Sequence, residues 1–280
     1  MTKIPTNLPV LAQIAKEAGD AIRVMQADIV ANKDWETKQD GSAVTPADKK
    51  AHQIIKQRLA EQFPNVALLS EEGTAEEIAE ALKQNERFES DPLDNTSGFI
   101  KGRDGYSVNI GRVKDGFPVE GAIYFPARNE MFYTHEGKAW FQKGDDAPKE
   151  IKVKALPLRN PLQVAGGFSQ TSTDYLGDRA HDVIQHPAQY RTCMVARGDC
   201  DVAGFKAAKV DDNYNTWDVA GPHAVLMAAG GDFVTESGQP LRYGTDSYKV
   251  PNFIAGGVDT LKALGFANPQ YFKTTKAVGF

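Results

Sequence analysis

Asp91-Pro92-Leu93-Asp94-Asn95-Thr96 is the stretch on which the reading of this chain turns. Pro92 fixes its own φ and biases Asp91 toward extended geometry. The spacing therefore predicts a rigid turn after Arg87 to Ser90. Asp91 and Asp94 converge on one point there, with the Leu93 carbonyl between them. Hard divalent cations take several oxygen ligands, and Mg²⁺ sites combine carboxylates, waters and a substrate phosphate. The same residues also read as a surface turn with a solvated acid at each end, because short acidic turns are common. What surrounds them decides between the two.

Upstream, Leu11, Ile14, Ala15, Ala18, Ile22, Met25 and Ile29 recur at helical spacing and predict a helix from Leu8 to Ala31. Asn32 to Ser42 reads as a polar linker. Thr45-Pro46-Ala47-Asp48 then opens a second helix, with Thr as N-cap, Pro at the first helical position and Asp three residues in. Val66 to Leu69 is a short apolar strand running into Ser70-Glu71-Glu72-Gly73, and Thr74 to Gln84 is a third, capped helix. Downstream the period changes to two. Tyr106, Val108 and Ile110 alternate with polar residues, as do the segments around Val119 to Phe125 and Met131 to Thr134, which predicts an antiparallel meander. Beyond about Leu156, strand and helix mix again. A helix is expected from near Thr216 to Gly230-Gly231, with a strand at Asp232 to Glu236. The expected class is α+β, in two closely packed halves at residues 1–155 and 156–280.

The acids thus fall at element ends: Asp48 and Asp218 in the first turns of helices, Glu71 after a strand, Asp91 and Asp94 in the turn. Taken singly, each has a structural reading as a cap, a helix-dipole partner or a solvated pair. The chain has 280 residues, 41% hydrophobic and 25% charged, so a sizeable core is expected. A formal net charge of −5 argues against a nucleic-acid polymer as partner. It does not exclude a small anion, since bound metals reverse the local sign. Cys193 and Cys200 have no metal-ligand spacing and read as free thiols in a reducing compartment. Met1 to Asn7 lacks an apolar signal core and no stretch is long enough to span a membrane, so a cytoplasmic protein is expected.

The joint order of Val44-Thr45-Pro46-Ala47-Asp48, Leu69-Ser70-Glu71-Glu72, Asp91 to Thr96 and Trp217-Asp218-Val219-Ala220 resembles the inositol monophosphatase superfamily. So do Gly121 to Pro126 and Ala228-Ala229-Gly230-Gly231 followed by Gly238-Gln239-Pro240-Leu241. The resemblance runs from about Leu8 to Gly257. Phe99-Ile100-Lys101, the Ser70-Glu71-Glu72 context and Gly137-Lys138-Ala139-Trp140 look most similar to the 3′(2′),5′-bisphosphate nucleotidase branch, which removes the 3′-phosphate of adenosine 3′,5′-bisphosphate.

The resemblance implies a layered αβαβα sandwich and Mg²⁺-dependent phosphomonoester hydrolysis with two or three ions. Glu71, Asp91 and the Leu93 carbonyl would hold one ion, and Asp91, Asp94 and Asp218 a second. Asp48 and Thr96, with Glu71, would serve catalysis by orienting the attacking water. Phosphate oxygens would meet Asn95, Thr96 and the Asp218 helix start, and Arg191 would attract a second phosphate. Inhibition by Li⁺ is implied too, and a homodimer is compatible with it.

The chain also departs from the pattern. Asn95 replaces a family glycine; Asn is the residue best able to take its place in left-handed geometry. Ser97 stands where nucleotidases often carry lysine. Pro187-Ala188-Gln189-Tyr190-Arg191 replaces a Gly-Ser-Ser-x-Lys stretch, and Gly166-Gly167-Phe168-Ser169 a Ser-x-Ser-His stretch. The metal ligands are complete and the substrate contacts have drifted. Two other readings stay open: an inositol monophosphatase or other sugar-phosphate phosphatase, and a non-catalytic relative that binds a nucleotide or a protein.

Overall fold

The computed structural model describes residues 8–38, 41–167, 173–187, 189–205 and 214–266. In chain order the elements are α1 (Val10–Asn32), β1 (Glu36–Thr37), β2 (Ala43–Val44), α2 (Pro46–Gln62), β3 (Ala67–Ser70), α3 (Ala75–Leu82), β4 (Glu86–Asp94) and α4 (Thr96–Phe99). The meander follows: β5 (Ser107–Lys114), β6 (Phe117–Phe125), β7 (Glu130–His135), β8 (Lys138–Lys143) and β9 (Lys149–Ile151). The remainder is β10 (Leu162–Gly166), a 3₁₀ turn (Asp174–Leu176), β11 (His181–Gln185), α5 (Tyr190–Ala196), β12 (Val202–Phe205), α6 (Thr216–Ala228), β13 (Gly231–Thr235), β14 (Phe253–Gly257) and α7 (Val258–Ala263).

Strands β3 to β9 form one seven-stranded sheet in sequence order, antiparallel except for the parallel pair β3–β4. The second sheet has the order β11-β10-β12-β14-β13, with β11, β10 and β12 parallel and the rest antiparallel. Helices α1 and α2 cover the outer face of the large sheet, where Leu11, Ile14, Ile22, Ala51 and Ile55 pack on Phe88, Val108 and Tyr124. Between the sheets lies α6, its Val219, Val225 and Leu226 in one core with Ile123 and Phe132 on one side and Phe233 and Phe253 on the other. The outer face of the small sheet is closed by α7 and the 3₁₀ turn through Leu176, Leu261 and Leu264. These are the five layers of an αβαβα sandwich.

Two departures from the sequence reading matter for the site. Asp91 to Asp94 is the end of β4, not a turn. Its pairing with β5 shifts between Asp91, opposite Asn109, and Asp94, opposite Ser107. Two residues there face one, which is a bulge, and Pro92 sits where the ladder is interrupted and no N–H is required. The stretch read as a linker, Asn32 to Ser42, contains β1, which pairs with β2 just beyond it, Glu36 opposite Val44.

Candidate metal centre and cleft

Parallel pairing of β3 with β4 sets Ser70 beside Ser90, and the Glu71 amide donates to the Ser90 carbonyl at 3.2 Å. Glu71 thereby arrives next to Asp91. Asp91 is oriented by its own bulge, since its Oδ1 accepts the Leu93 amide at 2.9 Å. Asp218 comes from the far half of the chain on the first turn of α6. One of its oxygens accepts the Asn215 amide at 2.9 Å as a helix cap. Pro222 removes the donor that would have bonded the Asp218 carbonyl, and the Asn109 side-chain amide reaches that carbonyl at 3.4 Å instead. Carboxylate oxygens of Glu71, Asp91 and Asp218 all lie within 4.8 Å of one another. Asp94 lines the same cleft but stands outside that trio. Its Oδ2 accepts the Ser107 hydroxyl at 3.3 Å and the Gln189 amide at 3.5 Å.

Packing these acids together has a clear electrostatic signature. Burial raises the pKa of Asp94 to about 6, and Glu71 adds to it, while the Gln189 amide and Ser107 oppose it. Asp91 and Asp218 are pushed well above the usual carboxylate range by burial first, then by the charges of Glu71 and Asp94. An all-oxygen set that repels itself this way fits a hard divalent cation, which turns the repulsion into ligation. Lys38, beyond β1, already supplies positive charge: its ammonium bonds Glu71 at 2.9 Å and Glu72 at 2.6 Å. Burial works against that charge, but the two glutamates outweigh it and raise the lysine pKa. The sequence reading missed Lys38. The signal was there in Asp40-Gly41, a hairpin dipeptide between Glu36-Thr37 and Ala43-Val44.

Asp48 divides its two oxygens. Oδ2 accepts the Thr45 amide at 2.8 Å and the Thr45 hydroxyl at 2.7 Å, closing the cap of α2. Oδ1 faces the Thr96 hydroxyl at 3.2 Å. Burial raises the Asp48 pKa to about 6 against the lowering effect of the Thr45 bonds. Asp48 thus caps α2 with one oxygen and meets Thr96 with the other, and Asp218 caps α6 while standing in the acid trio. The Thr96 hydroxyl also lies 2.9 Å from the Leu93 carbonyl, so that carbonyl is drawn into the same network. Asn95 takes left-handed geometry, φ 66° and ψ 45°, and its side chain donates to the Gly105 carbonyl at 3.1 Å, away from the acids. Arg191 is buried on α5. Its guanidinium lies 4.1 Å over the Phe205 ring and donates to the Gly204 carbonyl and the Tyr214 hydroxyl, both at 3.2 Å. Phe168, Ser169 and Ala188 lie outside the described residues.

All of this opens into a cleft of about 1460 Å³. Its acidic floor is Glu71, Asp91, Asp94 and Asp218, and its lining also includes Lys101, Arg103, Arg128 and Arg191. Five stacked layers with a self-repelling carboxylate set beside a threonine–aspartate pair define a metal-dependent phosphomonoesterase.

The comparisons agree. The chain belongs to the inositol monophosphatase family, whose model matches residues 7–265. It is 33% identical over 255 residues to the 3′(2′),5′-bisphosphate nucleotidase CysQ of Salmonella typhimurium, covering 87% of this chain and 96% of that protein. The Escherichia coli K12 protein of the same name is 33% identical over 250 residues, with the same shares covered. Among solved structures, CysQ from Bacteroides thetaiotaomicron superposes with a TM-score of 0.71 at 26% identity, over 89% of this chain and 96% of that one. The Thermotoga maritima inositol monophosphatase shares the fold, with a TM-score of 0.70 at 21% identity, over 96% of this chain and 97% of that one. No helix among the described residues is long and apolar enough to cross a membrane.

Proposed function

We propose that the chain is a Mg²⁺-dependent 3′(2′),5′-bisphosphate nucleotidase that releases the 3′-phosphate of adenosine 3′,5′-bisphosphate. The observation that carries the substrate is the likeness, over 87% of the chain, to proteins bearing that name. The cleft supports it by size, since about 1460 Å³ exceeds what a simple sugar phosphate fills.

Glu71, Asp91 and the Leu93 carbonyl would hold one cation, and Asp91, Asp94 and Asp218 a second, with a third joining on substrate. When bound, such ions supply Lewis acidity and neutralise phosphate charge. The chain's own groups do the positioning. Thr96, held between Asp48 Oδ1 and the Leu93 carbonyl, orients the attacking water, and Asp48, its pKa raised to about 6, accepts a proton near neutrality. The backbone after Asp94, held left-handed at Asn95, and the first turn of α6 face the phosphate oxygens.

The deciding experiment is phosphate release from a panel of phosphomonoesters. Hydrolysis should vanish in excess chelator, return with Mg²⁺ and fall when Li⁺ is titrated at constant ionic strength. Asp91→Asn should lose on the order of a thousandfold in rate. Higher kcat/KM for inositol 1-phosphate than for adenosine 3′,5′-bisphosphate would overturn the substrate assignment, and full activity in chelator the whole reading.

A further inference from the structure

We infer that Arg128 is a specificity-determining residue that recognises a second anionic group on the substrate, on the stretch of the cleft beside Tyr190 rather than on the acid floor. The inference rests on the phosphomonoesterase reading of that floor and deepens it.

In a chain with a net charge of −5, four cationic side chains, Lys101, Arg103, Arg128 and Arg191, line the same cleft as Glu71, Asp91, Asp94 and Asp218. A substrate with one anionic group needs only the acid floor and its cations. Basic side chains in this number are suited to a second.

Among the four, Arg128 is half-buried and held in place by packing while still lining the cleft. It sits in the tight β6–β7 connection, where its amide donates to the Phe125 carbonyl at 3.1 Å. Its guanidinium lies 4.5 Å over the ring of Tyr190. Tyr190 in turn is fixed, because its hydroxyl donates to buried Glu130 at 2.8 Å and its ring meets Phe125 edge-on at 4.9 Å. Gln189, one Cα step or about 3.8 Å earlier, carries the amide that donates to Asp94. The start of α5 therefore links the acid floor directly to the ring under Arg128.

Arg128 also has a resident anion. Asp104 faces its Nε at 3.2 Å and its Nη2 at 3.3 Å, and that aspartate side chain is 66% exposed. Asp104 is the solvated half of this pair and so the exchangeable one, while Arg128 is half-buried. A phosphate oxygen pair makes the same forked contact with more charge. Arg191 differs: its donors meet the Gly204 carbonyl and Tyr214, so it adds positive potential more than a free fork. Lys101 and Arg103 are exposed and line the same cleft.

The test uses full-length parent, Arg128→Ala, Arg128→Lys and Asp104→Asn with Mg²⁺. KM and kcat are read separately for adenosine 3′,5′-bisphosphate and adenosine 3′-monophosphate. The ratio of kcat/KM, bisphosphate over monophosphate, should fall about tenfold to a hundredfold in Arg128→Ala, mainly through KM. Arg128→Lys should keep part of it, and Asp104→Asn should raise it. A parent ratio near one overturns the inference. So does a parent-like ratio in Arg128→Ala, or an equal fall for both substrates carried by kcat, since Arg128 would then only support Tyr190 and α5. If the parent hydrolyses neither adenylate, the nucleotidase reading fails separately. The same ratio is then taken with inositol 1,4-bisphosphate over inositol 1-phosphate, and the same outcomes decide.

Discussion

Asn95 shows how a single side chain can be spent on holding a backbone. At φ 66° a β-branched residue is strained by roughly 1–3 kcal/mol, whereas Asn and Gly are tolerated. The asparagine amide reaches the Gly105 carbonyl and lies directly over Gly98, where an added Cβ would come within 2.5 Å of Asn95 Nδ2. The two positions are therefore coupled. Asn95→Gly should retain or raise kcat/KM, and Asn95→Val should reduce it by more than its thermal midpoint suggests. Gly98→Ala should impair the enzyme in the parent background and much less when combined with Asn95→Gly. Rates and melting curves for the four variants test this. Additive losses in the double variant would mean that the side chain is not what Gly98 accommodates.

The elements owe their positions to a few local devices, and some of these were readable in advance. The capping signals Thr45 to Asp48 and Thr74 to Glu77 mark where α2 and α3 begin, and the reciprocal bonds of both boxes are formed. The alternating residues from Tyr106 to Thr134 do pair as a meander. The bulge at Asp91 to Asp94 was not readable, because Pro92 is equally at home in a turn. Nor was the parallel trio β11-β10-β12, whose pairing partners are distant in sequence. In the site, the residue types and order pointed to Glu71, Asp91 and Asp218, but the partners of Asp94, Ser107 and Gln189, depend on packing alone. Helix α6 depends on close approach. A Cβ at Gly111 would fall 2.6 Å from the backbone of Ala220 and Gly221, so the helix cannot keep its seat beside a larger residue. Gly111→Ala should destabilise by about 1–3 kcal/mol or more. It should also raise the Mg²⁺ concentration needed for half-maximal activity, because Asp218 rides on the displaced helix. Denaturant melts and Mg²⁺ titrations of activity measure the two effects; loss of stability with unchanged Mg²⁺ response would detach α6 placement from the metal centre.

For the whole molecule, the acid floor is a store of repulsion. Asp48, Asp91, Asp94 and Asp218 all have pKa values raised on folding, so the folded state binds more protons than the unfolded chain between the ordinary carboxylate range near 4 and about 6 and above. Stability from these groups is full below that window and is lost as pH rises through it. In chelator the protein should therefore melt at a lower temperature at pH 7.5 than at pH 5, opposite to a chain whose acids are all salt-bridged. Mg²⁺ should reverse the loss at pH 7.5 and do little at pH 5, where protons compete for the same oxygens. Scanning calorimetry at the two pH values, with and without Mg²⁺, checks this, and a metal-free midpoint that climbs with pH would contradict it.

The position of α6 between two sheets has a consequence in time as well as in space. Glu71, Asp91 and Asp94 are brought together by neighbouring strands, a local event in chain terms, whereas Asp218 arrives only when a helix from far along the sequence docks. Loop closure over such a separation is among the slower steps of folding. A partly refolded chain thus has Glu71 and Asp91 side by side before Asp218 joins them, and completion of the acid trio becomes a clock that starts when the last layer reaches its register. Whatever Asp218 contributes to the centre, it contributes last.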